Sequence, residues 1–163
     1  MKTDLDTESR AALLTAIEKM KREHEWAVTA LDDIIVEKLN INKTDLRILD
    51  VLIDGSATPS DLAKKTTLTP SAMTSALDRL EAKKFIVRNR DLHDRRKIII
   101  EPTALIKRLN QILYTPILLD ENKALSKLCT GELKIIYDYL CSEKEINSKN
   151  RQRLIKEKDS ELH

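Results

Sequence analysis

Between residue 7 and about residue 38, apolar positions at Leu13, Ile17, Met20, Ala27, Leu31, Ile34 and Ile35 recur three or four apart with charges between them. That spacing lines one face of a single long amphipathic helix. At roughly thirty residues it is longer than most helices of a small domain, so part of its stripe is expected to meet another chain. Asn42 then offers a cap with Asp45 three residues on, and Leu46, Leu49, Leu52 and Ile53 make a second face that stops at Gly55. Thr58, Pro59 and Asp61 repeat the start signal for a third, brief helix ending near Thr66. Thr69 and Pro70 open a fourth, SAMTSALDRLEAKK, in which Met73, Leu77 and Leu80 share one side. Ser71, Ala72, Thr74, Ser75 and Arg79 fall largely on the others. A short helix, a tight turn and a helix with a small, polar outer face predict a helix-turn-helix. Two packed helices with no ligand would leave the same pattern.

The period then changes. Phe85, Ile86 and Val87 precede a basic cluster and Ile98, Ile99 and Ile100 follow it, with the turn-forming DLHD between them. Two β-prone runs around a polar turn predict a hairpin, and a hairpin after a recognition helix is a wing whose basic tip can reach an adjacent groove. Pro102 and Thr103 begin another helix, apolar from Leu105 to Leu128, which Pro116 is expected to kink. Thr130 is read as the cap of a last helix carrying Leu133, Ile136, Tyr137, Leu140 and Cys141, before a charged tail anchored only by Leu154 and Ile155.

Composition narrows the field. Hydrophobic residues at 41% are enough for a core, while 3% aromatics and two glycines disfavour turn-rich all-β folds and Gly-rich nucleotide loops. No apolar run approaches a membrane span and MKTDLDTESR lacks an apolar signal core, so a cytoplasmic protein is expected. Cys129 and Cys141 form no C-x-x-C pair and are expected to be buried, reduced thiols, with redox sensing as the alternative. His24, His93 and His163 lie far apart and none of the common catalytic or phosphate-loop motifs occurs. No enzyme, resident metal or cofactor is expected.

Formal charge is only +2 overall, but it is unevenly placed. Residues 79–108 carry ten basic against four acidic side chains, a local +6, whereas residues 1–78 carry ten basic against fourteen acidic, a net −4. A basic segment beside a small, polar helix face favours duplex DNA as partner. The alternatives are a winged-helix module placing its basic wing on an acidic protein, and a redox- or metal-sensing regulator.

The wing stretch RDLHDRRKIIIEPT and the helix stretch LTPSAMTSALDRLEAKKFIV resemble the MarR family of winged helix-turn-helix regulators, over residues 40 to 105. The resemblance implies a mainly α fold with a small β-hairpin wing. A winged helix-turn-helix lobe (39–102) would join a helical dimerisation lobe made of an N-terminal helix (1–38) and C-terminal helices with a polar tail (103–163). It assigns Ser71, Ala72, Thr74 and Ser75 to the major groove, and Arg79 and Lys83 to phosphates. Arg96 matches the wing arginine that enters the minor groove, Asp94 the carboxylate that orients it, and Arg95 a backbone contact; Lys43 is added as a further DNA contact. It further implies a homodimeric, ligand-responsive repressor. A small aromatic effector would bind beside His24 and Trp26 of the first helix, although either residue could equally be packing in the dimer core. Lys84 stands where the family has a glycine in the left-handed conformation, at a cost of roughly 1 kcal/mol.

Overall fold

The computed structural model describes residues 9–91 and 94–160. The helices and strands run α1 (Arg10–Leu39), α2 (Lys43–Ile53), α3 (Pro59–Thr66), α4 (Pro70–Ala82), β1 (Ile86–Arg90), β2 (Ile98–Pro102), α5 (Ala104–Leu125) and α6 (Thr130–Ser160). This is the mainly helical, winged architecture that the pattern predicts. Leu92 and His93 of the DLHD turn, and His163, lie outside the described residues. The chain divides into two compact units, Met1–Leu113 and Tyr114–His163, so that α5 crosses from one to the other.

In the first unit each helix starts where a side chain can satisfy an orphan backbone donor. Asn42 accepts from the Asp45 N–H at 2.8 Å, and Thr58 from the Asp61 N–H at 3.1 Å while donating to the Asp61 carboxylate at 2.7 Å. Thr69 accepts from the Ala72 N–H at 3.3 Å, with Pro70 in the first turn. The apolar faces so aligned close on one core. Ile48, Leu49 and Leu52 of α2, Leu62 of α3, and Met73, Ala76, Leu77 and Leu80 of α4 meet Phe85, Ile86 and Ile100 of the wing and Ile106 of α5. Burial of this cluster fixes α4 against α2, α3 and the base of the wing.

Among the described residues, three non-glycine residues adopt left-handed backbone, Asn40 (φ 50°), Thr67 (φ 60°) and Lys84 (φ 60°). Each ends a helix. At Lys84 the strain of a Cβ is offset by the hydrogen bonds of a Schellman ending: Lys84 N–H to Glu81 O at 2.8 Å and Phe85 N–H to Leu80 O at 3.0 Å. The Thr103 hydroxyl adds a third, donating to Lys84 O at 2.7 Å. Thr103 thus locks the exit from α4 and also caps α5, since its oxygen accepts from the Ile106 N–H at 3.4 Å. The wing pairs antiparallel from Ile86 opposite Pro102 to Arg90 opposite Ile98, and Ala57 adds a bridge to Ile100 on the other edge of β2.

The chain from β2 onward departs from expectation in several details. Pro102 closes β2 instead of opening a helix, and α5, with Pro116 inside it, ends at Leu125, before Leu128. The cap of α6 is Cys129, not Thr130: Leu133 N–H reaches Cys129 O at 3.0 Å, and Glu132 reaches back to the Cys129 N–H at 2.7 Å. That bond holds the Glu132 carboxyl below its usual range. The charged tail continues α6 to Ser160. Cys129 and Cys141 are exposed on the single chain, contrary to the expectation of buried thiols, because neither lies on a face that the chain itself covers.

Candidate nucleic-acid interface

The core dictates which side of α4 faces outward. With Met73, Ala76, Leu77 and Leu80 buried, Ser71, Thr74 and Ser75 are exposed and Ala72 is half-buried. These are small side chains, so the helix backbone can approach a duplex closely. The Thr74 hydroxyl donates to Pro70 O at 3.0 Å, which leaves its oxygen as an outward acceptor. Asp78 continues this face one turn beyond Thr74 and Ser75. A carboxylate there would repel phosphates, but Arg88 of β1 pairs with it at 2.6 Å through Nη2 and with Glu81 through Nη1. Arg88, one of the ten basic residues of the 79–108 segment, is therefore an internal clamp between wing and helix.

Arg79 is held similarly. Its Nε and Nη2 donate to the Asp45 carboxylate at 3.2 and 2.6 Å, which ties α4 to the first turn of α2. Those bonds raise the guanidinium's pKa further above its already high ordinary value. Asp45 therefore does not close the capping box that its position after Asn42 implies. Lys83 is the C-terminal cap residue of α4 and is half-buried. Lys43 lies at the junction of α1 and α2, 2.7 Å from Asp33.

At the wing tip, side chains organise the backbone. Asp91 accepts from the Asp94 N–H at 2.8 Å, and Asp94 accepts from the Arg96 N–H at 3.1 Å. Backbone bonds from Lys97 to Asp94 O and from Asp91 to Lys97 O, at 2.8 and 3.0 Å, close the base of the tip. Asp94 thus orients Arg96 through its backbone amide. Arg95 and Arg96 are exposed, and among the described residues neither guanidinium has a partner.

A groove between α3 and α4, lined by Ser60, Lys64, Thr67 and Thr69 over Ala63, Leu68 and Pro70, lies outside the turn of the helix-turn-helix. His24 and Trp26 lie away from it, both exposed on α1, with Trp26 72% exposed. Among the described residues no three potential metal ligands cluster, and no helix is long and apolar enough to cross a membrane.

Residues 39–97 match the model of the MarR family. Over that stretch the winged lobe is similar to the MarR family of winged-helix regulators. It is 29% identical over 119 residues to YcgE of Bacillus subtilis, an uncharacterised HTH-type transcriptional regulator, covering 72% of this chain and 77% of that one. To YwhA, another uncharacterised HTH-type transcriptional regulator of B. subtilis, it is 42% identical over 71 residues, covering 43% of this chain and 50% of that protein. Among solved structures, S. aureus MepR in a complex with DNA shares the fold at a TM-score of 0.54 and 22% identity, over 75% of this chain and 98% of that chain. The winged lobe described here is thus similar to that of HTH-type transcriptional regulators.

Proposed function

We propose that the protein is a MarR-type regulator, a cytoplasmic homodimer that binds specific duplex DNA as a repressor and releases it when a small aromatic effector binds. The carrying observation is the pairing, in one lobe, of a small polar face on α4 with the exposed guanidiniums of Arg95 and Arg96 at the wing tip, which have no partner among the described residues. A helix face of Ser71, Ala72, Thr74 and Ser75 reads base edges in the major groove while Arg96 enters the adjacent minor groove and Arg95 meets phosphate. Lys83 and Lys43 add positive charge along the backbone track. The fold is shared with a protein solved on DNA.

Dimerisation is supported by apolar surface that the single chain leaves open. On α1, Leu13, Leu14, Ile17, Met20 and Ile34 are all exposed, and on α6 so are Ile135, Tyr137 and Leu140. Such stripes are stable in water when a second copy covers them. The functional division into arms at 1–38 and 103–163 around a DNA-binding lobe at 39–102 follows from this reading. An effector seated against His24 and Trp26 of α1 would act by altering the spacing of the two recognition helices. Electrophoretic titration of genomic fragments selected from the host tests the assignment: retention at low salt that is lost on adding aromatic carboxylates is expected. Absence of any retention refutes it.

A further inference from the structure

Asp45 is the one charged side chain buried among the described residues, at 1% exposed. Stripping water from a carboxylate is costly unless charge and hydrogen bonds replace it. Two features do so here. The carboxylate sits in the first turn of α2, where the helix dipole favours an anion. It also receives both Nε and Nη2 of Arg79, at 3.2 and 2.6 Å.

The two partners differ in exposure. Asp45's side chain is 2% exposed and Arg79's is 46%, so the acid is fixed inside the lobe while the base lies at its surface. Two roughly parallel bonds set the plane of a guanidinium as well as its position. Arg79 lies one turn beyond Ser75 on α4, at the flank of the small polar face. Gripped along the edge that carries Nε and Nη2, the guanidinium keeps the N–H groups of Nη1 and the outer N–H of Nη2 available to a further acceptor.

We propose that Asp45 is a positioning residue for DNA binding, locking the Arg79 guanidinium so that its outward N–H groups meet a backbone phosphate. This rests on the DNA-binding reading above. It makes a prediction of opposite sign to plain electrostatics: removing a negative charge beside a polyanion should tighten binding, whereas unlocking Arg79 should weaken it.

Fluorescence anisotropy with the full chain, on a selected genomic duplex across a salt series, separates the two. Asp45→Asn is expected to weaken binding roughly five- to tenfold, and to have no further effect in an Arg79→Ala background. Arg79→Lys, which keeps the charge and loses the fork, should weaken binding to a similar degree with an unchanged salt slope. Circular dichroism establishes that each variant is folded. Should Asp45→Asn fail to fold, Arg79→Lys carries the test alone. Binding by Asp45→Asn as tight as wild type or tighter, an equal loss in the Arg79→Ala background, or unchanged affinity in Arg79→Lys would reduce the pair to a strut between α2 and α4. A wild-type protein that binds no duplex would overturn the DNA reading itself, which is a different result from wild-type binding that the variants leave intact.

Discussion

The two guanidiniums at the wing tip are the residues whose chemistry points outward most plainly. Arg96 hangs from a turn that Asp91 and Asp94 fix through backbone amides, so replacing its side chain leaves the fold of the wing in place. Arg96→Ala should weaken DNA binding and lower the slope of log K against log salt by about 0.9 for each phosphate that is no longer neutralised, with an unchanged far-UV spectrum. Lys84 makes a contrasting prediction. With φ 60° it holds a Cβ in the left-handed region, so Lys84→Gly should raise stability by about 0.5–1 kcal/mol, read as a higher urea midpoint. The cost at Lys84 was legible in the sequence because its neighbours match a family pattern. The engagement of Asp45 was not, because its partner lies 34 residues away and local spacing points to a capping box instead. The role of Arg88 was not legible either, because only the register of β1 aims this member of a basic run at Asp78 and Glu81.

At the scale of elements, start signals were the most legible feature, since an N-cap is decided by three or four adjacent residues. Asn42, Thr58 and Thr69 all cap as their spacing predicts. Cys129 was missed because cysteine is a poor side-chain cap; its backbone carbonyl and the returning Glu132 define the start of α6 instead. Packing between elements leads to further tests. Leu52 is fully buried between α2 and its neighbours, and Leu52→Ala should destabilise the lobe by about 2–5 kcal/mol in urea unfolding. On α2, partial loss of water and then the charge of Asp32 on α1 push Asp50 up to about 6. A carboxyl raised above its ordinary 3.8 is protonated more readily in the folded state. Its stabilising contribution is complete below that ordinary value and is lost as the pH rises through about 6. Asp50→Asn should therefore stabilise the protein at pH 7, by about 0.5–1 kcal/mol after solvent screening of this exposed side chain, and by only a small fraction of that at pH 4. Thermal denaturation at both pH values checks the sign.

For the molecule as a whole, the winged lobe could be read from the chain because its core, its turns and its wing are contained in one continuous stretch. The environment of Cys129 and Cys141 could not, since burial of α6 depends on surfaces that a single sequence does not identify. Open apolar stripes on α1 and on α6 predict that the protein in solution is a dimer, so light scattering should give twice the 18.7 kDa chain mass at micromolar concentration. A stable monomer would contradict the proposed assembly. The most direct test of the central claim is selection of host genomic fragments by the purified protein, followed by sequencing and footprinting of those retained. A two-fold operator is predicted, with half-sites about one helical turn apart, salt-dependent affinity and protection that recedes at the flanks in Arg96→Ala. Retention of no sequence above background at low salt, or a footprint unchanged when Arg95 and Arg96 are both replaced by alanine, would contradict it.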